Sequence, residues 1–170
     1  KGDGAVAMLV VDFVSPGMLR GYVQYDEALV TALADTSPEP QTPVPRLMGG
    51  GYLAFTVDQG EDTERYQGIV PLVEDSLAHS LDAYFEQSEQ LKSRLWLAAD
   101  GDRAAGLLLQ QLPSQVTQDD TERLQQWEHA CSLAATVRDE ELLQLRAEEL
   151  LYRLYHEDAV RVFQPAPVSF

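Results

Sequence analysis

The stretch that most constrains the fold is Arg65–Gln90, RYQGIVPLVEDSLAHSLDAYFEQSEQ. It begins with Tyr66 to Val70, an apolar run of strand length. Pro71 removes a backbone donor and breaks the run. Beyond it Leu77, Leu81, Tyr84 and Phe85 follow one another at spacings of three and four, which places them on one helical face. Asp75 or Ser76 can cap this helix, and acids sit in its first turn, where the helix dipole favours them. A strand that feeds straight into an amphipathic helix docks the helix on a sheet face. Periodicity alone supports a core unit here and nothing more.

More strands surround this unit. Gly2-Asp3-Gly4 is a turn signal, and Ala5 to Val14 reads as a strand. Ser15-Pro16-Gly17 turns it back into Met18 to Tyr25, predicting an antiparallel hairpin. Asp26 to Pro45 carries Pro38, Pro40, Pro43 and Pro45, which exclude a long helix and a central strand. It reads as an irregular surface excursion. After Gly49-Gly50-Gly51, Tyr52 to Val57 alternates Leu53, Phe55 and Val57 with Tyr52, Ala54 and Thr56, the period of a strand. Arg94 to Ala99 and Ala104 to Leu112 flank Asp100-Gly101-Asp102, a strong hairpin signal. Pro113 closes the sheet region.

From Ser114 helix formers replace strand formers. Thr117 or Asp119 can cap a helix whose apolar stripe is Leu124, Trp127, Cys131 and Ala134, with Val137 near its end. A second helical block, Glu140 to Tyr155, carries Leu143, Ala147, Leu150, Leu151 and Leu154. Both stripes are narrow, so each helix needs a partner surface. Val160 to Phe163 has the composition of a short strand. The predicted organisation is α+β: residues 1–113 form an antiparallel β-rich core domain with one amphipathic helix, and residues 114–170 a helical linker region.

Charge narrows the partners. The 170 residues carry 12 Lys and Arg against 28 Asp and Glu, a net charge of −16. Nucleic acid and anionic membrane both require basic surface, so neither is an expected partner. No apolar run approaches the roughly 20 residues of a membrane span. Cys131, the sole cysteine, allows no disulfide within the chain and no multi-thiolate metal site. A reducing, cytoplasmic setting is therefore expected.

Enzyme chemistry finds little purchase. Gly49-Gly50-Gly51 leads into a strand and lacks the Lys-Ser or Lys-Thr of a phosphate loop. His79, His129 and His156 lie far apart, without the pairing a zinc site needs. Cys131 sits in an apolar stripe, where a small buried hydrophobe is the ordinary reading. There is no Gly-x-Ser-x-Gly elbow. The expectation is a protein that is not an enzyme, with no catalytic residue and no cofactor or metal of its own.

The wording of certain segments is more specific than their patterns. YQGIVPL followed by YFEQSEQL resembles the 33 kDa heat-shock chaperonin family, the redox-regulated holdase chaperones. In family order the same likeness returns at Gly2-Asp3-Gly4, at MLRGYV (Met18 to Val23), at GLLLQQLP (Gly106 to Pro113) and at EELLQLRAEELLYRLYHEDAVRVF (Glu140 to Phe163). Lys92-Ser93 stands where the family often has Pro-Thr, and Leu107 where a second Gly is common.

The resemblance covers the family's core domain and the linker after it. The family's amino-terminal part is not found before Lys1, nor its four-cysteine zinc domain after Phe170, so the chain is expected to be a truncated piece. It implies an ATP-independent holdase that binds unfolded client proteins, with zinc confined to that C-terminal domain. Edges exposed by truncation would favour a homodimer, with domain swapping as one route. In this family oxidation unfolds the zinc domain and loosens the linker. Leu124, Trp127, Leu143, Leu150, Leu151 and Leu154 are then the expected client-binding and linker–core packing residues, facing the sheet at rest. The alternative is an interaction or scaffold module without chaperone activity.

Overall fold

A computed structural model describes residues 1–36, 44–58, 60, 63–73, 76–113 and 120–163. The chain divides into two packing units, with the cut between Tyr84 and Phe85. This is a different cut from the change in sequence character at Pro113: the third hairpin belongs to the same unit as the helices that follow it. Both units combine antiparallel strands with helices, so the fold is α+β.

In the first unit, β1 (Val6–Val14) pairs antiparallel with β2 (Met18–Tyr25) around the Ser15-Pro16-Gly17 turn. β3 (Tyr52–Val57) pairs antiparallel with β4 (Tyr66–Pro71). Between the two hairpins the irregular excursion proves partly helical. α1 (Glu27–Thr36) starts at Asp26, whose Oδ1 accepts the N–H groups of Ala28 at 3.0 Å and Leu29 at 3.1 Å. This N-cap satisfies donors that the helix itself leaves open. The short α2 (Val44–Met48) carries Pro45 in its first turn, where no intrahelical donor is needed. Pro38, Pro40 and Pro43 lie outside the described residues.

The two glycine clusters turn out to be one feature. Gly2 bridges Gly51, the Asp3 N–H donates to Gly50 O at 3.0 Å, and the Gly4 N–H donates to Met48 O at 2.8 Å. The backbones run so close that a Cβ on Gly2 would stand 2.1 Å from Met48 O, and one on Gly51 2.2 Å from Lys1 O. Gly49 adds a positive φ of 66°. Only residues without a side chain permit this approach.

α3 (Leu77–Ser88) follows β4 as expected, and Ser76 is its cap: Oγ accepts the His79 N–H at 3.1 Å. Asp75 lies outside the described residues. Tyr84 is fully buried and stacks on Phe55, with ring centroids 4.9 Å apart. The helix also buries Ser80, which periodicity did not mark. Its Oγ accepts the Val73 N–H at 2.9 Å and donates to Ser76 O at 3.2 Å, tying the end of the strand segment to the helix.

The second unit begins within α3. β5 (Ser93–Ala99) and β6 (Ala104–Gln110) form an antiparallel hairpin. Its turn is organised by Asp100, whose Oδ1 accepts the N–H groups of Asp102 at 2.9 Å and Arg103 at 2.6 Å. Three helices follow: α4 (Asp120–Ala134), α5 (Asp139–Gln144) and α6 (Ala147–Tyr155). The proposed caps Thr117 and Asp119 lie outside the described residues.

Two expectations need correction here. The block Glu140 to Tyr155 is two helices rather than one. Leu145 and Arg146 are extended, and each new helix starts with a Glu at its third position that accepts the N–H of its cap residue: Glu141 from Arg138 and Glu149 from Arg146, both at 3.1 Å. This is the backbone-directed half of a capping box, and two such starts eight residues apart end one helix and begin another. Val160 to Phe163 is not a strand. These residues have no ladder partner among the described residues, and Phe163 stands 83% exposed.

Candidate functional site

The site to be weighed is the helical layer over the β5–β6 hairpin. Its core contains Ala98 from β5, Leu142 from α5, and Leu150, Leu154 and Tyr155 from α6. Trp96, Ala105, Leu107 and Leu109 of the hairpin pack against this core, as do Ala130, Leu133 and Val137 from α4 and the residues after it. α5 makes the broadest seat on both strands of the hairpin, and α4 packs chiefly along α6. The outer faces are acidic: Glu122, Glu128, Asp139, Glu140, Glu148 and Glu149 are all exposed.

The six residues expected to face the sheet divide three ways. Leu150 and Leu154 are 6% and 4% exposed at the centre of the core. Leu143 and Leu151 are half-buried against it. Trp127 is half-buried too, in the wall of an open cavity of about 400 Å³ that it shares with Leu109, Leu112, Arg123 and Ala130. Leu124 is 43% exposed and outside the core. The face of α4 that packs inward runs through Ala130, Leu133 and Ala134, and at about 100° per residue Leu124 lies some 120° round the helix from Ala130.

Sequence reasoning missed Leu142, Leu133 and Tyr155. A single stripe drawn through Glu140 to Tyr155 selects Leu143. The break at Leu145–Arg146 resets the helical phase, so α5 instead turns Leu142 fully inward. The signal was present as the Glu at each third helical position.

Polar ties hold the layer. The Arg153 guanidinium grips Glu141 through both oxygens, Nη2 to Oε2 at 2.9 Å and Nε to Oε1 at 2.5 Å. It also donates to the Thr136 hydroxyl and carbonyl, both at 3.1 Å. Glu141 accepts from the Arg138 N–H as well, and its side chain is only 12% exposed. The Arg138 N–H first, and then the Arg138 and Arg153 guanidiniums, hold its carboxyl below the usual range, although burial pushes the other way. Tyr155 donates to Ala130 O at 3.0 Å, joining α6 to α4. Burial, followed by nearby Cys131 and Asp158, pushes its phenol up to about 12. Arg103, from the hairpin turn, reaches Leu143 O at 3.4 Å.

The histidines of the chain do not gather here. His129 meets Asp158 at 3.7 Å and His156 meets Glu157 at 3.9 Å, both on the surface, while His79 is on α3. Among the described residues no three His, Cys, Asp or Glu side chains converge as a metal site would need. No helix among them is long and apolar enough to cross a membrane. What the geometry offers is a narrow apolar underside, charged outside, lying on a two-stranded ribbon.

Known proteins give this layer a context. A 33 kDa chaperonin from Pseudomonas syringae pv. tomato is 48% identical over all 170 residues, and one from Azotobacter vinelandii is 45% identical. The chain spans 54% of the length of each. A solved structure of the 33 kDa chaperonin from Thermotoga maritima shares the fold, with a TM-score of 0.65 at 22% identity, over 95% of this chain and 54% of that one. The family model described as Hsp33 protein matches residues 1–170. The chain belongs to the Hsp33 protein family.

Proposed function

We propose that these residues form the client-binding body of an ATP-independent holdase chaperone. The observation that carries the reading is the helical layer itself. Short helices, none long enough to be stable alone, cover the apolar surface of a hairpin with Leu142, Leu150 and Leu154 and present carboxylates outward. Lifting such a layer uncovers two complementary apolar faces, while the acidic exterior keeps the opened form dispersed. Relatives named 33 kDa chaperonin along the whole chain support the same reading.

In this proposal the work is binding rather than catalysis, and the partners are unfolded proteins rather than nucleic acid or membrane. The setting is the cytoplasm, and the resting assembly is a homodimer. Residues 114–170 act as the linker of the core domain 1–113. Redox control belongs to the zinc-binding, four-cysteine domain of the family, and Cys131 takes no part in it.

The test is light scattering by a heat-denaturing client, run with stoichiometric chain under conditions where hydrogen exchange shows α4 and α6 open. Suppressed scattering is the expected outcome. Undiminished scattering would sink the holdase reading and favour an interaction scaffold. That second reading draws on the same core, which runs without interruption from Ala98 into Leu142, Leu150 and Leu154 and would then be permanent.

A further inference from the structure

The ties within the second unit fall into two groups. Tyr155 to Ala130, together with the packing of α4 on α6, makes one assembly of those two helices. Arg103 to Leu143 O, together with the seat of α5 on both strands, makes another of α5 and the hairpin. A charged connection that crosses between them is Arg153 on α6 to Glu141 on α5. The same guanidinium also holds Thr136, in the turn where α4 gives way to α5. A neutral bond crosses as well, Gln111 Nε2 to Arg123 O at 3.3 Å, near the start of α4.

We propose that the Glu141–Arg153 pair is a latch that sets the order in which the layer opens. With the latch shut, the apolar core is closed from both sides. With it broken, α4 and α6 leave as a pair, and α5 stays on β5 and β6. The geometry suits a latch better than a general brace. A two-pronged guanidinium–carboxylate grip is strong and directional, yet it lies beside the core rather than within it, and Arg153 is one residue from Leu154. Losing the grip therefore removes a clamp without opening a cavity.

The consequence for client capture rests on the chaperone reading; the order of opening does not. Hydrogen exchange followed by mass spectrometry on the 170-residue chain tests the latch. Glu141→Gln keeps an acceptor for the Arg138 N–H and loses the charge. Arg153→Met keeps the aliphatic stem and loses the fork. Each is expected to speed exchange in α4 and α6 about tenfold or more, while α5, β5 and β6 change less than about twofold. The double variant should open no further than Arg153→Met alone, and Arg153→Lys should fall between it and the parent.

Equal acceleration through all five elements would show one cooperative block and overturn the latch, as would no acceleration in either variant. Should Arg153→Met fail to fold, Glu141→Gln and Arg153→Lys still decide the matter. Client scattering separates the two claims. Selective opening without suppression refutes the chaperone reading and leaves the latch standing, whereas suppression without selective opening refutes the latch.

Discussion

The hairpins β1–β2 and β5–β6 are built from similar material and have opposite fates. Each is an antiparallel pair of seven to nine residues a strand, rich in aliphatic and aromatic side chains. On β1–β2, Val11, Phe13, Met18 and Tyr22 stand 57% to 64% exposed. On β5–β6, Ala98 is buried and Trp96, Leu107 and Leu109 are half-buried beneath helices. A two-stranded ribbon has marginal stability by itself. What separates these two is that the short helices after β6 pack on their hairpin, whereas α1, which follows β2, buries none of its residues.

The largest expected effect breaks this comparison at its covered end. Leu154→Ala removes a side chain from the centre of the helical layer and should cost about 2–5 kcal/mol. Val11→Ala on the open ribbon should cost no more than about 0.5 kcal/mol. Urea titrations of the two variants would measure the contrast, and similar midpoints would show that the helices do not stabilise their hairpin.

Next comes the brace of the first unit. Gly51→Ala puts a Cβ against Lys1 O and should cost about 1–3 kcal/mol through the backbone shift it forces. The thermal midpoint should fall, with faster exchange at the Tyr52 N–H, which donates to Lys1 O, and at the Leu72 N–H, which donates to Gly51 O. An unchanged midpoint would mean that the brace does not hold the first unit. A smaller loss, about 1 kcal/mol, is expected for Tyr155→Phe, which deletes the bond to Ala130 O. Exchange in α4 and α6 reads it out, and no change there would remove this tie from the helical pair.

The smallest effect compares the two turns in acid. The N–H groups of Asp102 and then Arg103 hold Asp100 below the usual Asp range. The Gly60 N–H, followed by the Arg65 side chain, does the same for Asp58. Because each folded pKa is depressed, the stabilisation is complete above the ordinary value and is lost as the pH falls through the folded one. Both carboxyls should titrate at lower pH than free Asp in carbon-detected NMR. Asp100→Asn should flatten the acid response of the β5–β6 turn and leave that at Asp58 alone.

Much of the fold could be read locally. The pairing of β1 with β2 follows from the turn at Ser15-Pro16-Gly17, and that of β5 with β6 from Asp100-Gly101. Ser76 was legible as a cap because capping needs only an oxygen three residues before an open N–H. The helix after Tyr25 is hidden in the sequence by the proline content of the whole segment 26–45. The prolines in fact gather beyond α1, and Asp26 starts that helix unhindered. Within the candidate site, Leu150 and Leu154 were legible from spacing, but Leu142 was not, since its inward turn depends on where α5 ends.

The sequence by itself determined the three hairpins and the helix that follows β4, and its string of matching motifs already indicated the family. These properties rest on interactions spanning a few residues: turn geometry, capping and the period of apolar side chains. Only the tertiary structure decided that Gly2 and Gly4 meet Gly49 to Gly51, that Leu124 faces water while Leu142 does not, and that Arg153 closes on Glu141. Each of those outcomes depends on the approach and rotation of elements distant in the chain. That is fixed by packing, and residue spacing does not encode it.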